Sequence, residues 1–157
     1  GYQLSVNGEA NEPATERGYV ILSREWSDGD KVELILDMPV ERVMPHPSIR
    51  QTAGQIALQR GPLVFCLEEV DNGPRLANVC IPEDAALKAA FDSELLGGAS
   101  VITGSALRIE PAEESTALYR HHSQTGYNKT AFTFKAIPYY LWANRALGEM
   151  RVWIRSN

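Results

Sequence analysis

The sequence is short of the residues that build metal and redox centres, with two cysteines and three histidines in 157 residues. Cys66 and Cys80 stand apart, with residues 67–79 between them, and lack the close pairing of a zinc knuckle. No metal site is expected on them. A disulfide between them is open only in an oxidising compartment. The plainer reading of Cys66, inside "PLVFCLEEV", is a buried strand thiol. The chain also lacks an excess of positive charge. Fifteen Lys and Arg against 20 Asp and Glu leave a net charge of −5, which argues against nucleic acid or an anionic membrane as partner. No apolar run approaches the length of a membrane span; "LVFCL" is typical. No signal peptide is evident, and a chain starting at Gly1 leaves open whether a leader was removed or never included. Cytoplasmic, periplasmic and secreted locations all stay open. Internal repeats and low-complexity tracts are absent too.

What is present is the make-up of a globular chain, 44% hydrophobic and 22% charged. Its length suits one domain, or a small domain plus part of another. "YVILSREW" and "KVELILDM" flank "SDGD", and the second run alternates, with Val32, Leu34, Leu36 and Met38 opposite Lys31, Glu33 and Asp37. Alternation about an Asp-Gly turn predicts a hairpin, whose apolar side, with Trp26, is expected to enter a sheet-to-sheet core. "GQIALQ" and "LVFCLEEV" form a second expected pair, with Pro62 in the turn. "PEDAALKAAF" reads as one short helix, from its proline, early acids and alanines. "SVITGSALRIE", "TAFTFKAI" and "MRVWIRS" read as strands, and residues 113–129 as a polar surface loop. Seven or more short strands and one short helix predict an all-β fold, a β-sandwich of jelly-roll type. Residues 1–45 read as an N-terminal hairpin region, the remnant of a first β-sandwich, and 46–157 as the C-terminal β-sandwich.

No set of residues assembles an active site. Glu68-Glu69 and Glu113-Glu114 are adjacent pairs, and neighbours on a strand point to opposite faces, so neither pair converges on one substrate atom. They read as solvated charges. His121-His122 lies in the polar loop without further ligands suggested by spacing, and His46 sits between two prolines. No phosphate loop or nucleophile elbow is found. "NKT" at 128–130 is a glycosylation sequon that matters only in a secreted eukaryotic protein.

The stretch "IPYYLWANR", residues 137–145, packs three aromatics behind a proline and ahead of an Asn-Arg pair. Read as a strand, it puts Ile137, Tyr139, Leu141 and Ala143 on one face and Tyr140, Trp142 and Asn144 on the other. One face is expected in the domain core and the other against a second surface, with Arg145 offering a planar donor fork to a carboxylate or to backbone carbonyls. Tyr139, Tyr140, Trp142, Asn144 and Arg145 are therefore the candidate docking or sugar-stacking residues. A sugar platform would show the aromatics exposed and coplanar; a bracing domain would bury them against chain.

"GYVILSREWSDGDKVELILDMPVER", "GQIALQRGPLVFCLEEVDN", "LLGGASVITG" and "IPYYLWANRALGEMRVWIR" together resemble the carboxyl-terminal β-sandwich region of glycoside hydrolase family 127, typified by β-L-arabinofuranosidases. The resemblance runs from about "VNGE" at 6–9 onward. It implies a longer enzyme whose (α/α)₆ catalytic barrel holds the nucleophilic cysteine, the zinc-binding cysteines and the glutamates. None of those motifs matches here, so no catalytic or metal residue is carried over, and no cofactor is expected in this chain; zinc would belong to the barrel. The implied role is accessory: bracing the catalytic barrel of the same polypeptide, or a homodimer contact. The alternative is an autonomous carbohydrate-binding module with an aromatic platform.

Overall fold

A computed structural model of the protein describes residues 1–112, 119, 121 and 126–156. The chain divides into two compact units, 1–38 and 39–157, whereas the sequence reading set its break after residue 45.

The first unit contains β1 (Tyr2–Val6), β2 (Glu9–Ala10), β3 (Ala14–Glu16), β4 (Tyr19–Ile21) and β5 (Val32–Leu36). Its hairpins are not the expected one. β1 turns into β2 through Asn7-Gly8, and β3 into β4 through Arg17-Gly18, with positive φ at all four residues. Positive φ at both central positions is the two-residue turn that matches strand twist. β5 pairs with β1, Leu4 opposite Leu34, and not with β4. The "SDGD" segment turns, but it closes on itself: the Asp30 carboxylate accepts the Ser27 N–H at 2.8 Å and the Asn7 side-chain amide at 2.8 Å. Asn7 Oδ1 then accepts the Lys31 N–H at 2.8 Å, steering the chain onto β1. The expected core residues are also out of place. Leu34 is 54% exposed and Trp26 is 50% exposed, so neither is a core residue.

The second unit contains β6 (Val40–Val43), β7 (Gln55–Arg60), β8 (Leu63–Glu68), a one-turn helix α1 (Glu69–Asn72), β9 (Val79–Ile81), β10 (Leu87–Asp92), β11 (Ala99–Pro111), β12 (Tyr127–Pro138), β13 (Met150–Arg151) and β14 (Ile154–Ser156). β7 and β8 pair as expected, Arg60 opposite Leu63 across Gly61-Pro62. The architecture, however, overturns the sandwich. Going round, β8 pairs with β12, β12 with β11, β11 with β9, β9 with β14, β14 with β7, and β7 with β8. This is a closed six-stranded barrel, not a jelly roll. Closure depends on "MRVWIRS" breaking at Val152-Trp153. β13 stays on β8, while β14 slips between β7 and β9. A closed ring leaves those six strands no bare edge.

Alternation along the ring sorts the side chains. Leu58, Phe65, Leu67, Ile102, Phe134, Ala136 and Ile154 fill one cluster. Cys66, Val101 and Ile137, on the opposite strand faces, pack with Leu95 in a second one. The second half of β8, Phe65 to Glu68, is therefore buried on both faces, which explains the apolar "FCL" there, while Val64 is exposed. Gly104 on β11 has a reason: a Cβ there would lie 2.9 Å from the Ala86 carbonyl and from the Phe134 ring.

The expected short helix is a strand. Leu87–Asp92 pairs with the first half of β11, Ala90 opposite Val101, so ladder bonds outweigh alanine's modest helix preference. The only α-helix described is the turn Glu69–Asn72. Residues 127–129 of the expected loop belong to β12. Glu113, Glu114, His122 and most of that loop lie outside the described residues, and His121 is exposed.

Candidate functional site

The strand reading of "IPYYLWANR" fails after its second residue. β12 ends at Pro138, paired with Phe65, because proline has no N–H to carry the ladder on. A 3₁₀ turn, Tyr139–Leu141, follows, and the Trp142 N–H closes on the Tyr139 carbonyl at 3.1 Å. Ile137 and Pro138 are buried, and Leu141 packs on the second core cluster. The other aromatics point outward: Tyr139 is 46% exposed, Tyr140 63% and Trp142 42%. The Tyr139 and Trp142 rings stack at 6.1 Å between centroids, with 14° between their planes. Asn144 is exposed and donates to the Leu141 and Trp142 carbonyls.

Beneath this loop is an ion cluster. Arg145 is partly buried and donates through its fork to Glu68 and Asp71, with Nη1 3.0 Å from Asp71 Oδ1. The buried Glu68 also accepts the Ala143 N–H at 2.9 Å. Ala143 takes φ 63, a left-handed conformation that costs an L-residue on the order of 1–3 kcal/mol and persists only where neighbours hold it. Here the Glu68 bond holds it. Asp71 first, and Glu68 after it, keep the Arg145 guanidinium above its ordinary pKa, against the opposing cost of burial. The expected fork is thus engaged inside the domain, at the base of the loop. Glu68, expected in water, is a buried anchor. Its signal was its place at the end of a run buried on both faces, where a carboxylate needs a cation.

The cluster ties into further polar bonds. Asn72 is buried and bridges α1 to β12 through Lys135 N–H and carbonyl, both at 2.9 Å. The Glu149 carboxylate accepts the Leu76 N–H at 2.8 Å, and Glu69 accepts the Glu149 N–H at 2.9 Å. These bonds lock the carboxyl-terminal loop onto the barrel.

Cys66 and Cys80 are both buried thiols. Burial, and then the Glu68 charge, push the Cys66 thiol up to about 12, and burial raises Cys80. Among the described residues no group of three or more His, Cys, Asp or Glu could hold a metal. No helix among them is long and apolar enough to cross a membrane.

Comparison with known proteins follows this division of the chain. The C-terminal domain profile of glycoside hydrolase family 127 matches residues 40–155, and the middle domain profile, described for β-L-arabinofuranosidase of the same family, matches residues 1–38. A non-reducing end β-L-arabinofuranosidase of Bifidobacterium longum is 40% identical over 98% of this chain and 24% of its own length. The crystal structure of a family 127 β-L-arabinofuranosidase from Geobacillus stearothermophilus T6 superposes with TM-score 0.90 at 46% identity, over all of this chain and 25% of that one. A second solved family member, described as a β-arabinofuranosidase, gives TM-score 0.85 at 30% identity, over 23% of its length. The chain spans about a quarter of the length of these relatives. It belongs to glycoside hydrolase family 127, matching that family's middle and C-terminal domains.

Proposed function

We propose that this chain is the accessory, non-catalytic part of a longer family 127 glycosidase acting on β-L-arabinofuranosides. Its barrel braces the catalytic barrel of the same polypeptide, with Tyr140 and Trp142 as docking anchors. The observation that carries this is a loop of outward-facing aromatics pinned from below by the Arg145–Glu68–Asp71 cluster. A rigid loop loses little freedom on association, so its rings become effective anchors. Zinc and the nucleophile belong, on this reading, to the catalytic portion, as does any homodimer contact that the catalytic portion completes.

The second reading, a sugar platform, draws on the exposure of the same rings. The 14° between the Tyr139 and Trp142 planes, with 6.1 Å between their centroids, fits it as well.

Incubating the chain with an aryl β-L-arabinofuranoside, with and without zinc and reductant, tests the non-catalytic half of the proposal. The expected rate is background. Turnover that survives repurification and disappears on a single side-chain substitution would overturn it.

A further inference from the structure

An open cleft of about 580 Å³ lies between the turn that leads into β7 and the break that separates β13 from β14. Gln51, Thr52, Gln55, Tyr139, Arg151 and Trp153 are among the residues that line it. We infer that this cleft is a binding site for a neutral saccharide, adjoining the Tyr140 and Trp142 surface through Tyr139.

The chemistry of the lining selects the ligand. A sugar presents adjacent hydroxyls, each donor and acceptor, together with apolar C–H faces. Two carboxamides answer the hydroxyls, since each offers one acceptor oxygen and two N–H donors. Among the described residues neither Gln51 nor Gln55 has a side-chain hydrogen bond within the fold, so both groups remain available. Arg151 Nη1 makes one long bond, 3.5 Å, to the Trp153 carbonyl, leaving its other N–H groups for ligand oxygens. Trp153 and Tyr139 supply apolar ring surface for the C–H faces. No carboxylate lines the cleft, and Arg151 is its single charged residue, which fits a polyhydroxylated ligand better than a cation.

The three tryptophans make the test specific, because they sit in different places: Trp26 in the first unit, Trp142 on the exposed loop, Trp153 in the cleft. The indole N–H resonances of the folded chain are followed while methyl β-L-arabinofuranoside, and then a β-linked L-arabinofuranose disaccharide, are titrated into the millimolar range. The expected result is a saturable shift of the Trp153 signal with Trp26 unmoved. Gln51→Ala, at an exposed position, should weaken that binding about five- to tenfold, the loss of one neutral hydrogen bond, with the thermal midpoint unchanged. Movement of the Trp142 signal alone, an absence of movement at any indole, or a Gln51→Ala variant that binds like the original chain would each overturn the assignment.

Discussion

Replacing Arg145 by alanine would leave Glu68 buried without its cation, with the Ala143 N–H still bonded to it. Breaking a buried pair from one side costs about 3–5 kcal/mol, so Arg145→Ala should lower the urea midpoint by that equivalent. Lys31→Ala, which removes an exposed pair with Glu33, should cost under about 1 kcal/mol. Equal effects would mean that the cluster does not anchor the loop. Cys66 gives a second prediction, in pH. Its thiol is pushed up to about 12 in the folded chain from an ordinary 9.0, so above pH 9.0 the folded state holds a proton that the unfolded state releases. The stability this contributes is full below pH 9.0 and is lost as pH rises from there towards 12. Unfolding measured on either side of pH 9.0 should show a steeper loss for the original chain than for Cys66→Ala. Parallel losses would remove the thiol from the account.

Strands decide the next contrast. Leu58 is fully buried inside the barrel, and Leu34 is more than half exposed on β5. Leu58→Ala should cost about 2–5 kcal/mol and Leu34→Ala under about 1 kcal/mol in this chain, read from urea unfolding; the reverse order would place the core in the first unit. On β10, Ala90→Thr should be neutral or stabilising by up to about 1 kcal/mol, since β-branched side chains favour strands. A loss of similar size would restore the helical reading. These cases show what the residues could and could not tell. The β7–β8 pair was legible because a Gly-Pro turn and two apolar runs are local signals. The β1–β2 turn was legible too, at Asn7-Gly8, yet the Asp-Gly farther along drew the prediction. β10 was not legible, because its pairing with β11 is a tertiary contact that alanines do not advertise. Barrel closure was hidden for the same reason: it rests on a break at Val152-Trp153 and a parallel contact between two three-residue strands. At the candidate site, the aromatics and the Arg145 fork stood out as residue types. Their geometry did not, since Pro138 ends the strand and turns the alternation argument into a loop.

At the scale of the molecule, the first unit leaves apolar β5 side chains exposed, and the second leaves Tyr139, Tyr140 and Trp142 exposed. The chain spans about a quarter of its relatives' length. Within the proposed docking, the aromatic loop is bare here because its partner surface belongs to the rest of a longer polypeptide. The most direct test is the unfolding free energy of Trp142→Ala, measured in this chain and in a longer family 127 polypeptide that includes the catalytic portion. Docking predicts a loss larger in the longer protein by on the order of 1.5–3 kcal/mol, the worth of fully burying a large apolar side chain, with no oligosaccharide affinity at Trp142 in either. Equal losses in the two proteins, with oligosaccharide binding abolished by the same substitution, would contradict docking and establish the aromatic loop as a sugar platform.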